Sequence, residues 1–192
     1  MATYASLRAV LDHYRSGDWQ ADVALVTGDL VHDDSAAAYG HFADLLGDLH
    51  LPVYCLPGNH DVRDLMQRAL SAPAFHYCEP LAAGRWHIVS IDSCVTGSAG
   101  GHVSAVGLDN REELLQRLAV SGKVRLVVFG HVHQPYDAVH DSMRIIGTPS
   151  TCRQFKQRST LFAVDDNPPA YRRIELLDDG NINNELVWLT EW

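Results

Sequence analysis

The chain is short of cysteine, of positive charge and of long apolar runs, and each shortage excludes something. Its four cysteines, Cys55, Cys78, Cys94 and Cys152, stand far apart with no C-x-x-C pair. That excludes a disulfide-dense scaffold and a thiolate zinc site, and the cysteines read as reduced, mostly buried thiols. Fifteen Lys and Arg face 24 Asp and Glu, for a net charge of −9. With no basic run to neutralise phosphates, neither nucleic acid nor an anionic membrane is an expected partner. No apolar stretch approaches the ~20 residues of a membrane-spanning helix. Met1 to Leu11 also lacks the basic and then apolar layout of a secretion signal, so the expected location is cytoplasmic. At 46% hydrophobic and 20% charged residues the composition is that of an ordinary globular chain, and 192 residues are most simply one domain, 1–192.

What is present is organised around Leu56 to Val62, Leu-Pro-Gly-Asn-His-Asp-Val. The stretch follows an apolar run, Pro52 to Leu56, that reads as a buried strand. Gly58, Asn59, His60 and Asp61 then fall on the loop at its carboxyl end, where open α/β sheets place ligands. An amide oxygen, an imidazole and a carboxylate in succession offer a metal ligand, a proton donor and a group to orient that donor. Alone, the tetrapeptide could be a polar turn. Two more segments of the same kind argue otherwise. Val23 to Asp29 is Val-Ala-Leu-Val-Thr-Gly-Asp, and Val124 to His133 is Val-Arg-Leu-Val-Val-Phe-Gly-His-Val-His. Each is an apolar run, rich in β-branched residues, that ends at a glycine and then a metal-type ligand: Asp29 in one, His131 and His133 in the other. The mixed oxygen and nitrogen set suits Mn, Fe, Zn or Co. Bound cations would also give this acidic chain the positive charge that an anionic substrate needs.

In chain order, Leu7, Val10, Leu11 and Tyr14 predict a first helix, capped by Thr3 and stopped by Gly17. Ser35 predicts the cap of a second, with Phe42, Leu45, Leu46 and Leu49 on one stripe. A short helix is expected over Asp64 to Leu70 and a strand over His87 to Asp92. Gly97 to Gly107 is glycine-rich and weakly patterned, and Asn110 with Glu113 forms a capping box for a helix through Leu114, Leu115 and Leu118. Helix and strand alternate through this part, as in a largely parallel sheet. From Arg144 onward short strands are expected at Arg144 to Ile146, Leu161 to Val164, Tyr171 to Leu177 and Leu186 to Leu189, forming an antiparallel sheet. His32, His41, His50, His76, His87 and His140 carry no motif and read as surface or half-buried histidines. His102 reads as a position in the glycine-rich loop, and Asp33 and Asp34 as helix-start charges.

Gly28-Asp29, Gly58-Asn59-His60-Asp61 and Gly130-His131-Val132-His133, in that order, resemble the signature of the metallophosphoesterase (calcineurin-like phosphoesterase) superfamily. Gly130 to Gln134 and Thr148-Pro149-Ser150-Thr151-Cys152-Arg153-Gln154-Phe155 resemble its bacterial class III 3',5'-cyclic-nucleotide phosphodiesterases. The resemblance implies an α/β fold, a double β-sheet sandwich flanked by helices, with two divalent ions at the strand ends. Carried over by motif, Asp29 bridges the metals, Asn59 and His131 bind one, and His133 binds the other. His60 protonates the leaving oxygen or steadies the transition state, Asp61 orients His60, and Thr148 to Cys152 line the pocket. The implied reaction is metal-dependent hydrolysis of a small anionic phosphodiester, a cyclic nucleotide such as cAMP, to the 5'-monophosphate. The alternatives are another metallophosphoesterase, of phosphomonoesters or general phosphodiesters, and a non-catalytic remnant that binds metal or a partner.

Two pieces of the family pattern are absent. The chain starts at the helix that follows the family's Asp-x-His strand. The middle histidine motif is also missing, and Gly100 to Ala105 runs into Val106 to Asn110 like two flanks joined at Ala105–Val106. The expectation is a shortened domain that lacks two strands, with fewer ligands, impaired activity and exposed strand edges. Such edges make a homodimer a candidate assembly.

Overall fold

The computed structural model describes residues 3–32, 35–93, 111–157 and 163–191. Asp33, Asp34, Cys94, His102, the Ala105–Val106 junction, Asn110 and Leu161 lie outside them. The first half alternates helix and strand: α1 (Thr3–Ser16), β1 (Ala24–Thr27), α2 (Ala36–Gly47), β2 (Val53–Leu56), α3 (Arg63–Ala69) and β3 (Phe75–Tyr77). The three strands form one parallel sheet in the order β1-β2-β3. The hydroxyl of Ser35 accepts a hydrogen bond from the N–H of Ala38 and so satisfies one orphan donor of α2.

Pairing alternation decides which side of this sheet is core. Val53 lies opposite Ala24 and Phe75, and Cys55 two residues on points the same way. Those side chains pack against Tyr39, Phe42, Leu45 and Leu46 of α2 and Met66 and Leu70 at α3. Each fully buried Leu, Phe or Met contributes about 1.5–3 kcal/mol, so this layer fixes where the strand ends point. Burial also pushes the Cys55 thiol up to about 12, so it is inert packing. The opposite face is open enough that Leu25 is 43% exposed.

The second half begins with the hairpin β4 (Leu81–Ala83) and β5 (Trp86–Ile88), then α4 (Arg111–Ser121). It continues with β6 (Leu126–Phe129), β7 (Tyr136–His140), β8 (Met143–Gly147), β9 (Ala170–Leu176) and β10 (Ile182–Trp188). Strand β8 is central, parallel to β6 and antiparallel to β7, while β9 and β10 form an antiparallel hairpin. Arg172 fastens that hairpin to the β8 sheet through the carbonyls of Gly147 and Tyr136, and within the hairpin it donates to the side chain of Asn184. Arg144 is held in a two-point pair with Asp137 at 2.9 and 2.7 Å, and this keeps the Asp137 carboxyl below its usual range.

One expectation is corrected. The strand foreseen over His87 to Asp92 is β5 and ends at Ile88, leaving Val89 71% and Ile91 51% exposed. Apolar alternation was present, but β5 has β4 alone as its partner among the described residues. Of the strand foreseen at Leu161 to Val164, residues 161 and 162 lie outside the described residues, and Val164 forms an isolated bridge with Phe155. Helix α4 forms as foreseen, from Arg111, with Leu114, Leu115 and Leu118 half-buried. Among the described residues β1 pairs only with β2, and β6 only with β8. No helix among them is long and apolar enough to cross a membrane.

Candidate metal centre

The carboxyl ends of β1, β2 and β6 meet, and the glycines before the polar residues are what lets them meet. A Cβ on Gly130 would sit 2.5 Å from Thr27 Oγ1 and 2.7 Å from the Thr27 carbonyl oxygen. A Cβ on Gly58 would land on the backbone nitrogen and carboxylate of Asp29. No larger residue fits either crossing. The chain then turns sharply at the polar residues themselves: Asp29, His131 and His133 have φ of 52°, 70° and 49°. Residues with side chains seldom adopt that left-handed conformation, which costs about 1–3 kcal/mol each and collects at functional sites. Gly58→Ala is expected to destabilise the chain by about 2–3 kcal/mol and to displace Asp29. Denaturant unfolding measures the first effect, and metal affinity the second.

Asp29 is half-buried, and its carboxylate is held on both sides. The N–H of His60 donates to Oδ1 at 3.2 Å, and Nδ1 of His131 lies 3.9 Å from Oδ2. Asn59 presents a side-chain Oδ1 that is buried and has no hydrogen-bond partner among the described residues. His133 is fixed from two directions: its Nδ1 bonds the Arg153 carbonyl at 2.7 Å, and its ring stacks on Phe155 at 4.1 Å and 9°. A carbonyl only accepts, so Nδ1 carries the proton and Nε2 is left with its lone pair. Burial lowers the His133 pKa, which keeps that nitrogen neutral. His60 is exposed to solvent, its ring 5.2 Å from that of His32.

Asp61 takes a different place from the one its neighbours suggest. Its Oδ2 accepts from the N–H groups of Leu30 at 3.1 Å and Gly58 at 2.7 Å, and its Oδ1 from the Tyr39 hydroxyl at 3.0 Å. Its hydrogen bonds thus clamp the β1 and β2 loops to each other and to α2, where the sequence reading had it orient His60. Turned inward to 8% exposure, its carboxyl is pushed above the usual range by burial.

A family model for calcineurin-like phosphoesterases matches residues 1–135. The chain belongs to that family. It is 31% identical to the 3',5'-cyclic adenosine monophosphate phosphodiesterase CpdA of Escherichia coli (strain K12) over 226 positions, covering 98% of this chain and 82% of that protein. Those 226 positions outnumber the 192 residues here, so the relative has residues with no counterpart in this chain. Among solved structures it resembles an archaeal phosphodiesterase, with TM-score 0.56, 13% identity, and 97% of this chain and 94% of that one covered. It also resembles Entamoeba histolytica Vps29 complexed with Zn²⁺, with TM-score 0.53, 18% identity, and 93% and 87% covered. At such identities these two show the fold alone.

For a member of this calcineurin-like family, the donor set can be tested against divalent ions. A buried amide oxygen without a partner is costly, and a cation is one group that would satisfy it. Asn59 Oδ1, the Asp29 carboxylate and the free Nε2 of His133 are oxygen and nitrogen donors of the right kind, and His131 adds another imidazole. The fit is partial: among the described residues no three His, Cys, Asp or Glu side chains gather closely enough to hold an ion without further donors. Sequence reading missed Tyr39, which holds Asp61, and it placed Arg153 and Phe155 in the Thr148 to Phe155 motif without seeing that they hold His133. A tyrosine on an earlier helix and a backbone carbonyl leave no local pattern to read.

Proposed function

We propose that this phosphoesterase hydrolyses a small anionic phosphodiester, a 3',5'-cyclic nucleotide such as cyclic AMP, with divalent ions held by Asp29, Asn59, His131 and His133. The observation that carries this reading is the partnerless buried Oδ1 of Asn59 on the loop that crosses Asp29. The 31% identity to a cyclic AMP phosphodiesterase supports the substrate class, and the zinc complex of Vps29 supports a divalent ion. Mn, Fe, Zn and Co all suit these donors.

The residues divide the work. Bound ions supply a water of lowered pKa and positive charge at the phosphate. Asp29 keeps one oxygen on the His60 N–H and turns the other toward His131. His133, neutral and fixed at Nδ1, offers Nε2. The attacking water gives up a proton to solvent as its oxygen joins phosphorus, the bond from phosphorus to the 3'-oxygen breaks with its electron pair on that oxygen, and the exposed His60 gives the oxygen a proton. The product is the 5'-monophosphate.

One observation favours a second reading, a metal- or partner-binding descendant without turnover: the absence of a three-member ligand group among the described residues. A direct comparison decides between the readings. Cyclic AMP, bis(p-nitrophenyl) phosphate and p-nitrophenyl phosphate are each incubated with the Mn²⁺-loaded chain. Preferential conversion of cyclic AMP to 5'-AMP supports the proposal. Faster turnover of the monoester points to another phosphoesterase, and no turnover of any of the three leaves the binding reading.

A further inference from the structure

His133 is held by the residues on either side of Gln154, and Gln154 is itself held more firmly than either. Its side chain is 2% exposed and makes three hydrogen bonds. Oε1 accepts from the Ser150 N–H at 2.9 Å, while Nε2 donates to the carbonyls of Ser150 at 2.8 Å and Pro168 at 2.9 Å. Its own carbonyl accepts from Asp165 at 2.9 Å, and Ala170 closes the frame by donating to the Ser150 carbonyl at 3.1 Å. One amide therefore ties the loop after β8 to the segment leading into β9. Gln154 turns inward, while the Arg153 carbonyl and the Phe155 ring meet His133, and the Phe155 N–H also donates to the His133 carbonyl at 3.3 Å.

We propose that Gln154 is a positioning residue for His133. By anchoring residues 150–155 it holds the Arg153 carbonyl on Nδ1 and the Phe155 ring on the imidazole face, which fixes both the tautomer and the ring's rotation and leaves Nε2 as the unprotonated nitrogen. The proposal rests on the reading of His133 as a ligand only in its consequence for metal, since the tautomer is a property of the metal-free chain. Carbonyl or carboxylate partners of ligating histidines act in this way, and losing them costs about 10–100-fold in metal affinity. Here the controlling side chain stands one step behind that carbonyl and touches neither His133 nor the centre.

The test uses Gln154→Met, which keeps the volume and removes all three bonds, and Gln154→Glu, which keeps the acceptor for Ser150. Long-range ¹H–¹⁵N spectra of the metal-free chain, assigned with His133→Gln, report the tautomer, and Mn²⁺ titration reports affinity. Near-UV circular dichroism establishes that the compared chains are folded. The expected result is a single Nδ1-protonated His133 in the parent and mixed tautomers in Gln154→Met. Mn²⁺ affinity falls about 10–100-fold in that variant, and Gln154→Glu is intermediate. If Gln154→Met does not fold, Gln154→Glu is judged by the same tautomer criterion. A parent-like tautomer in a folded variant would overturn the proposal. Mixed tautomers with unchanged Mn²⁺ affinity would uphold the positioning and remove His133 from the ligand set.

Discussion

Replacing His60 by Ala is expected to lower turnover of cyclic AMP by about 10²–10⁴-fold, the range for loss of a positioned general acid, with little change in thermal midpoint. Two features make the result this specific. The ring is exposed to solvent, so its removal opens no cavity. The contact that His60 makes with Asp29 runs through its backbone N–H at 3.2 Å, and alanine keeps that bond. The variant therefore removes a proton source and leaves the carboxylate frame standing. Rates and midpoints measured on the same preparations separate the two effects. An unchanged rate would refute the assignment of His60, and a fall matched by a lower midpoint would mean that the ring is structural.

Asp61→Ala should produce the largest loss of stability, about 2–4 kcal/mol, because it strands three donors. The Leu30 and Gly58 N–H groups and the buried Tyr39 hydroxyl all lose their acceptor, and each unsatisfied group costs about 1–3 kcal/mol. The sum falls below three full penalties because ionising a buried carboxyl is itself unfavourable. Asp61→Asn keeps an acceptor oxygen and should cost much less. The pH dependence has a definite sign. The folded pKa of Asp61 is raised above its ordinary 3.8, so its contribution is fully present below that value and diminishes as pH rises through the folded pKa. The parent therefore gains on Asp61→Asn as pH falls toward 4 and loses ground near neutrality. Urea unfolding of both chains across that range measures the difference, and a gap that widens with rising pH would contradict it.

Much of the framework is legible because it is local. Three apolar runs each closing on glycine and a ligand residue predicted the ends of β1, β2 and β6, and the structure brings those ends together. Ser35 was readable as a cap because a hydroxyl before an amphipathic stripe has one obvious partner. Short strands without a period were not readable: Phe75-His76-Tyr77 pairs because β2 lies beside it, and nothing in those three residues says so. Asp61 shows the same limit at the site. Adjacency in sequence suggested that it served His60, yet a loop can send consecutive side chains in opposite directions. Its partner Tyr39 stands on a helix 22 residues earlier.

The most direct measurement is the number of Mn²⁺ ions bound per folded chain, by metal analysis after equilibration, for the parent and for Asp29→Ala. Asp29 sits where the β1 and β2 loops cross and within 3.9 Å of His131, so a metal centre built on these strand ends cannot dispense with it. Stoichiometric metal in the parent, falling sharply in Asp29→Ala while the fold persists, is the predicted result. Equal metal in both chains, or none in either, would contradict a centre assembled from Asp29, Asn59, His131 and His133.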